Sequence, residues 1–254
     1  MPTPLHAVLE RLFDDAELFP PLSRPMADAL RDHAEALQGP HRRTVGPFLC
    51  PAPRLAELDA CVASGLTRPP AIGVVGYDTF AGWRGVYATS GLVHVEAPLS
   101  ARMPAPPVRV RRYVEISAHA ELDRSLDMVA PGDGVKVRGV GPVSSSVPSV
   151  DWLARVLVGC EARHLVVKVG GGFDDPYRSR GDRGVRHGLV NLLAGAGVAH
   201  SRGSVGDVAA ALAAGEDRAA DLLGLVSGSR ELVAAVSVSS LDRVLGQLAA
   251  RDLL

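Results

Sequence analysis

Short runs of β-branched residues alternate with helical patterns along most of the chain. The apolar runs lie at 45–50, 71–76, 92–97, 110–116, 134–139 and 164–169, and helical patterns lie near 53–64, 79–89, 119–129, 149–160 and 184–196. Strands that alternate with helices in this way are typical of βαβ units and a parallel sheet. About six to eight such units within 254 residues favour a closed barrel over an open sheet. The sequence therefore predicts an α/β fold of the (β/α)8, TIM-barrel-like type.

Both ends of the chain depart from this alternation. Residues 4–13 and 25–37 predict amphipathic helices, and the acidic, proline-rich stretch 13–21 between them predicts a turn. Residues 205–226 predict two alanine-rich helices with no clear strand before them, so 197–200 is the best candidate for a weak seventh strand. Residues 233–239 predict the closing strand, 241–254 the last helix and 104–107 a loop. We expect a single domain, with an N-terminal helical segment over 1–43 and a barrel with an irregular seventh unit over 44–254.

Polar residues occupy alternate positions in four of the predicted strands. They are His94 and Glu96, Tyr113 and Glu115, Lys136 and Arg138, and Lys168. Because side chains alternate across a strand, these residues share one face, and valine and isoleucine take the other. The β-branched face should pack beneath the helices, which leaves the polar face pointing into the barrel. The charges should then lie near the carboxyl ends of the strands, where barrel enzymes carry their active sites, with Lys136 one layer deeper.

The two lysines are the strongest candidates for chemistry. Lys136 and Lys168 are the only lysines among 27 basic residues, and both lie inside apolar runs. Burial penalises an ammonium group and lowers its pKa, which makes the amine a usable nucleophile or base. The alternative is a structural role, in which each lysine is paired with a buried carboxylate. Buried ion pairs stabilise less than apolar packing does, so the sequence favours an active site.

Further candidates surround the second lysine. The glycines at 170–172, Gly170, Gly171 and Gly172, form a turn whose backbone N–H groups could hold a phosphate or carboxylate, or which serves only as a tight turn. His187 and Asn191 are four residues apart on a predicted helix, where they either face the barrel mouth or serve as capping or surface residues. For the acidic group Asp14, Asp15 and Glu17, a solvated turn is favoured over a lid or a metal-binding lip.

Composition narrows the possible partners. The net charge is −1 with interspersed signs, which gives no electrostatic case for nucleic acid or an anionic membrane. The sequence has no run of about 18 apolar residues and begins with no basic stretch followed by an apolar one, so we expect neither a membrane span nor a secretory signal. Three cysteines without CxxC spacing indicate reduced thiols, and with them a cytoplasmic protein, in preference to disulfides or a zinc site.

Two resemblances add to this interpretation. The chain as a whole resembles an uncharacterised family of bacterial TIM-barrel-like proteins, through residues 14–21, the Lys136-Val-Arg138 strand, the Lys168 strand and the segment from His187 to residue 193. In that family the second lysine is followed by Ala-Gly-Leu-His-His, whereas residues 171–175 here are Gly-Gly-Phe-Asp-Asp. The missing histidine pair implies either a different substrate or a member that has lost the usual activity.

The second resemblance is local. Residues 168–173, Lys-Val-Gly-Gly-Gly-Phe, are similar to the Lys-Thr-Ser-Thr-Gly-Phe segment of deoxyribose-phosphate aldolases, with three of six positions identical. In those class I aldolases the segment carries the Schiff-base lysine on the sixth barrel strand, and the predicted strand of Lys168 is also sixth in order. Their helper lysine follows the Schiff-base lysine, whereas Lys136 precedes Lys168.

Together these features predict a class I aldolase-like lyase, or a related Schiff-base enzyme, that acts on a small carbonyl substrate in a biosynthetic pathway. Lys168 would form the imine, Lys136 would lower its pKa, and Glu115 or Glu96 would move protons. Arg138 would bind a substrate carboxylate or phosphate, with His94, Tyr113 and the glycine turn around it. No metal or organic cofactor is expected, and the protein is a possible homo-oligomer.

Two alternatives stay open. In a metal-assisted barrel enzyme, Glu96 and Glu115 would bind Mg²⁺ and the lysines would act as acid and base. In a non-catalytic small-molecule-binding protein, or a lapsed enzyme, the same residues would bind a ligand without turnover.

Overall fold

The computed structural model describes residues 4–68, 70–76, 91–99, 109–118, 121–139, 147–181 and 184–254. The helix predicted at 79–89 and the loop predicted at 104–107 lie outside the described residues, as do the first two positions of the helix predicted at 119–129.

Eight parallel strands of the described chain form a closed barrel, which confirms the predicted TIM-barrel-like fold. In chain order the barrel strands are β1 (Phe13–Asp15), β2 (Val45–Pro51), β3 (Ala71–Val75), β4 (Gly91–Pro98), β5 (Arg111–Glu115), β6 (Gly134–Arg138), β7 (Val166–Gly170) and, after a short hairpin β8 (Ser179–Gly181) and β9 (Gly184–Arg186), β10 (Val233–Val238). Each pairs with its neighbour in sequence, and β10 closes the barrel between β7 and β1. The polar strands therefore lie side by side, in the order β4, β5, β6, β7.

Helices cover the outside of the barrel, and most follow the predicted positions. The helix predicted at 4–13 ends at Val8, and the one predicted at 184–196 begins at Leu189, after the strand β9. They are α1 (Pro4–Val8), α2 (Met26–Ala36), α3 (Leu55–Ala63), α4 (Leu122–Asp127), α5 (Val150–Ala162), α6 (Leu189–His200), α7 (Val205–Ala213), α8 (Ala219–Gly224), α9 (Ser229–Leu232) and α10 (Leu241–Ala249). Short 3₁₀ turns occur at Arg42–Thr44, Ala52–Arg54 and Glu216–Arg218. None of the helices in the described ranges is long and apolar enough to cross a membrane.

The turn predicted at 13–21 is wrong at its start, because Phe13–Asp15 is the first barrel strand. Phe13 pairs with Val236 of β10 and with Val45 of β2. The strand has three residues, two of them acidic, so no β-branched run marks it. Both aspartates are buried, which also excludes the solvated turn expected for them. The segment 1–43 therefore supplies the first strand of the barrel as well as two helices.

The weak seventh strand predicted at 197–200 is also wrong. These residues are the last turn of α6, a helix that is apolar on nearly all sides and buried along most of its length. Between β7 and β10 the described chain contains the β8–β9 hairpin and four helices, and adds no strand to the barrel. The irregular unit is therefore the one that follows β7, the seventh barrel strand. The strand β1 brings the number of barrel strands to eight.

Strand parity divides the barrel as the sequence predicts. Val135 and Val137 of β6, and Val167 and Val169 of β7, are buried in the same hydrophobic cluster as Leu157 of α5. A second cluster joins β2 and β3 to α2 and α3, through residues such as Phe48 and Ile72. Because the apolar faces are used for packing against helices, the opposite faces of the same strands must line the interior.

Candidate active site

Glu96, Glu115, Lys136 and Lys168 all face the interior of the barrel, as the alternating pattern predicts. Register pairs join Glu115 to Lys136, and Lys136 to Lys168, on adjacent strands. The side chain of Lys136 is 6% exposed and that of Lys168 is completely buried, so the expectation that Lys136 lies one layer deeper is wrong. These four residues, with Asp14, His94 and Arg138, are called the charged cluster below.

Lys168 is completely buried and is surrounded by acceptors. Its Nζ donates to Asp14 Oδ2 and lies 2.8 Å from Glu96 Oε1 and 2.9 Å from His94 Nε2. It also lies 5.6 Å from the centroid of the Tyr113 ring. The same His94 Nε2 lies 3.3 Å from Glu96 Oε1 and 3.6 Å from Asp14 Oδ2.

The expectation of a lowered pKa for Lys168 is wrong. Burial lowers the pKa of the amine, but Asp14 and Glu96 raise it by more, so the pKa lies above its ordinary value. The counter-charges come from β1 and β4, across the interior of the barrel.

Lys136 sits between two carboxylates. Its Nζ lies 2.5 Å from Glu96 Oε2 and 3.1 Å from Glu115 Oε2. Glu115 is also held by Arg138, with Nε donating to Oε1 at 2.7 Å and Nη2 donating to Oε2 at 3.1 Å. Arg138, expected to bind a substrate anion, therefore has a carboxylate partner within the protein.

Both glutamates are held as carboxylates. Burial alone would raise the pKa of Glu96, but Lys168 and Lys136 outweigh it and hold that pKa well below its usual range. Burial likewise raises the pKa of Glu115, and Lys136 with Arg138 brings it below the ordinary value. At neutral pH both groups are therefore ionised in the resting protein, and neither is a proton donor there.

A cavity of about 150 Å³ opens at the carboxyl ends of the strands. Its lining residues are Ala16, Phe19, Pro20, Leu49, Val75, Glu96, Lys136, Arg138, Gly170, Gly171, Ser237 and Ser239. Of the two lysines, Lys136 borders this cavity and Lys168 does not. A Cβ at Gly170 would lie 3.0 Å from Lys136 Cε, so the glycine leaves the room that this side chain occupies.

The glycine turn after Lys168 is tied into the barrel. Gly171 and Gly172 have positive φ angles of 64° and 80°, which favour glycine. The N–H of Gly171 donates to Ser237 O at 3.1 Å, and the carbonyls of Gly170 and Gly171 both accept from Gly139 N–H. This arrangement supports the tight-turn interpretation, because the Gly171 N–H already has a partner. Gly170 and Gly171 border the cavity, whereas Gly172 is not among its lining residues.

His94 and Tyr113 form a layer below the cavity, in edge-to-face contact at 5.4 Å, and neither is among its lining residues. A Cβ at Gly73 on β3 would lie 2.1 Å from His94 Nε2, so the lack of a side chain at Gly73 leaves room for the imidazole. His94 therefore contacts Lys168 and Glu96, and it does not face the space that a substrate would enter.

The expectation that His187 and Asn191 face the barrel mouth is wrong. His187 Nε2 donates to Pro148 O at 2.9 Å, and its ring stacks on Phe173. Burial lowers the pKa of His187. Asn191 Oδ1 accepts from Arg178 N–H, and its Nδ2 donates to the carbonyls of Ala211 and Ala214. In the described part of the chain these contacts all lie outside the charged cluster. The carbonyls that Asn191 binds are at the carboxyl end of α7, and no side chain of the described residues caps the start of α6.

Asp14, expected in a solvated turn, and Ser237, which no sequence pattern indicates, both belong to the site. Charge balance is the signal that could have indicated an acid such as Asp14. Lys136, Lys168 and Arg138 on interior faces outnumber Glu96 and Glu115, and buried charges need partners. Ser237 carries no comparable signal, because serine in a closing strand is common on either face.

Asp14, His94 and Glu96 also form a group that could hold a metal ion. One ligand atom from each lies within 4.8 Å of the others. This set differs from the Glu96 and Glu115 pair expected from the sequence. The ammonium of Lys168 contacts all three residues, so a divalent ion would have to displace a buried cation that the protein itself supplies.

No known protein family and no curated protein matched this sequence in our comparisons. Counted along the sequence, the predicted strand of Lys168 is the sixth, as in the deoxyribose-phosphate aldolases. In the structure Lys168 lies on the seventh, because β1 precedes the strands that the sequence pattern reveals.

Proposed function

We propose that the protein is a Schiff-base enzyme of the class I aldolase type, acting on a small carbonyl compound, and that Lys136 is the amine that forms the imine. One observation carries the proposal. Lys136 borders the cavity at the carboxyl ends of the strands, with a carboxylate on each side of its Nζ. Barrel enzymes bind their substrates at this end.

The choice of Lys136 over Lys168 reverses the sequence-based assignment. An imine-forming lysine must lose a proton and reach a carbonyl carbon. Lys168 has no exposed surface, and its pKa is raised by Asp14 and Glu96. Its ammonium keeps Glu96 ionised and in position beside Lys136, so Lys168 acts as a positioning residue.

The carboxylates next to Lys136 supply the proton transfers that the chemistry needs. Glu115 takes one proton from the ammonium, and the neutral amine adds to the carbonyl carbon. A second proton of the nitrogen passes to the former carbonyl oxygen and gives a carbinolamine. Glu115 then returns its proton to that hydroxyl, which leaves as water and gives an iminium ion. Cleavage of the adjacent carbon–carbon bond sends its electron pair to the iminium nitrogen, and Glu115 accepts the proton of the substrate hydroxyl. Glu96, held as a carboxylate, stabilises the positive charge of the iminium.

Trapping with borohydride tests the assignment. Reduction in the presence of a panel of small aldehydes and keto acids should label Lys136, and peptide mass spectrometry can separate the two lysines because no others exist. Lys136→Arg keeps the charge between Glu96 and Glu115 and should abolish the label. Label on Lys168, or on the α-amino group alone, would contradict the proposal. Tight binding of a carbonyl compound without label or turnover would favour a binding protein.

The group formed by Asp14, His94 and Glu96 supports a second candidate, a metal-assisted barrel enzyme. Two carboxylates and an imidazole are suitable ligands for a divalent ion, which would polarise a carbonyl oxygen. Turnover that is lost on chelation and restored by Mg²⁺ or Mn²⁺ would favour this candidate. Turnover and imine trapping that are both insensitive to chelator would favour the Schiff base.

A further inference from the structure

We infer that the substrate is a short 2-oxo acid, whose carboxylate is bound by Ser237 and Arg138 next to the imine-forming Lys136. This inference rests on the proposed function and names its substrate class. Three features of the cavity carry it: a buried hydroxyl with no partner among the described residues, a guanidinium whose Nη1 is outside its pair with Glu115, and an apolar wall that limits size.

Ser237 supplies the first feature. It is 6% exposed, it borders the cavity, and its Oγ has no hydrogen-bond partner among the described residues. On β10 its neighbours Val236 and Val238 pack in the hydrophobic core, so strand parity turns Ser237 toward the interior. A buried hydroxyl without a partner is costly, and a ligand oxygen in the cavity would satisfy it.

Arg138 supplies the second feature. It lies two residues after Lys136 on the same face of β6 and borders the same cavity. Its pair with Glu115 uses Nε and Nη2 and leaves the Nη1 edge of the guanidinium outside the pair. Its side chain is 59% exposed, so a ligand carboxylate can reach the remaining N–H groups.

The charges around the cavity favour a carboxylate over a phosphate. Lys136 and Arg138 are balanced by Glu96 and Glu115, so a monoanion meets less repulsion than a phosphate dianion would. Phosphate sites in barrels use backbone N–H groups, but the Gly171 N–H already donates to the barrel.

The start of α10, after the closing strand, is also unsuited to a phosphate. Its cap residue Ser240 accepts from Arg243 N–H, and its first turn carries Asp242. An acidic residue in the first turn disfavours a bound anion at that helix end.

The apolar wall sets the size of the substrate. Opposite the charges, the cavity is lined by Phe19, Pro20, Leu49 and Val75. A volume of about 150 Å³ is comparable to that of a protein cavity which holds one benzene molecule, so it accommodates about six non-hydrogen atoms. Pyruvate and 2-oxobutanoate fit this volume, with the methyl or ethyl group against the apolar wall. Because they have no hydroxyl, they enter in the bond-forming direction of the same reaction, in which the enamine adds to a second carbonyl compound.

The test compares pyruvate with methyl pyruvate, which has the same carbonyl group and no carboxylate. Each is trapped on the full-length protein with borohydride, and the label on Lys136 is normalised to the label on N-acetyl-lysine under the same conditions. Dihydroxyacetone phosphate serves as the phosphorylated probe. We expect at least tenfold more normalised label with pyruvate than with either other probe, and Ser237→Ala should remove most of that preference.

Ser229→Ala is the matched control, because Ser229 is also a buried serine with an unpartnered Oγ but does not line the cavity. Equal normalised labelling by pyruvate and its ester, or a preference for the phosphorylated probe, would overturn the 2-oxo acid and leave the Schiff base standing. If no probe labels a lysine, the proposed function fails, and saturation-transfer NMR of pyruvate decides the carboxylate site. Binding that Ser237→Ala removes would support that site, and absent or unchanged binding would overturn it.

Discussion

Lys136 and Lys168 are register partners on adjacent strands, and Glu96 contacts the ammonium groups of both. The shared carboxylate belongs to a continuous series of alternating charges, which runs Asp14, Lys168, Glu96, Lys136, Glu115, Arg138. Side-chain exposure is at most 1% for the first three members, 6% for Lys136, 27% for Glu115 and 59% for Arg138. The series is therefore structural at its buried end and open to ligands at its exposed end.

Replacing Lys168 tests the structural end of the series. Lys168→Met leaves Asp14 and one oxygen of Glu96 buried without their cation. We expect a loss of about 3–5 kcal/mol in the free energy of unfolding, measured by urea denaturation. The double variant Asp14→Asn with Lys168→Met should recover part of this loss, because it removes one uncompensated charge. Wild-type stability of Lys168→Met would instead indicate that burial of the lysine is strained and functional.

Replacing Lys136 should lower stability less than replacing Lys168 does, and should abolish imine formation. In Lys136→Met, Glu96 keeps Lys168 and Glu115 keeps Arg138, so no carboxylate is left without a cation. We expect a smaller loss of stability, about 1–2 kcal/mol, together with complete loss of imine trapping. A variant that still forms an imine on the protein would contradict the role of Lys136. A loss as large as that of Lys168→Met would show that both lysines are equally structural.

The sequence predicts the faces of the strands better than it predicts the partners of the charges. Alternation in β4 to β7 is a local property, so it places Glu96, Lys136 and Lys168 correctly on the interior faces. The short strand β1 has no such pattern, and its Asp14 is recognisable only through its partner Lys168, which is distant in sequence. The strand number of Lys168 depends on β1, and the pKa of Lys168 depends on Asp14 as well as Glu96, so both predictions are wrong.

Gly170 tests whether the position of Lys136 matters for the chemistry. In Gly170→Ala the new Cβ would lie 3.0 Å from Lys136 Cε, so a side chain held by Glu96 and Glu115 must shift by a few tenths of an ångström. We expect at least a fivefold slower trapping of pyruvate, with a change in unfolding free energy of about 1 kcal/mol or less. Gly246→Ala is the control, because a Cβ there meets open space. Equal trapping rates in both variants would mean that imine formation does not depend on the space that Gly170 leaves for Lys136.

The pH dependence of stability should reveal the buried Glu17, which follows β1 near the cavity. Burial raises its pKa from 4.5 to about 7, with further contributions from Asp15, Asp32 and Asp242, and Arg24 opposes them. The folded protein therefore binds more protons than the unfolded chain between about pH 4.5 and pH 7. Stability contributed by this group falls as the pH rises through that window.

Glu17→Gln mimics the protonated side chain at every pH, so it should remove this loss. We expect the variant to equal the wild type in urea unfolding near pH 4.5 and to exceed it by about 1–2 kcal/mol at pH 8. The expected difference is smaller than the free energy that corresponds to the whole pKa shift of Glu17. The reason is that Arg24 and Asp32 are more than a third exposed, and solvent screens their charges. Glu57→Gln is the control, since Arg54 lowers the pKa of Glu57 and its removal should give no gain above neutral pH. A Glu17→Gln variant that parallels the wild type from pH 4.5 to pH 8 would mean that Glu17 titrates as an ordinary carboxyl group, and that its surroundings near the cavity do not disfavour its charge.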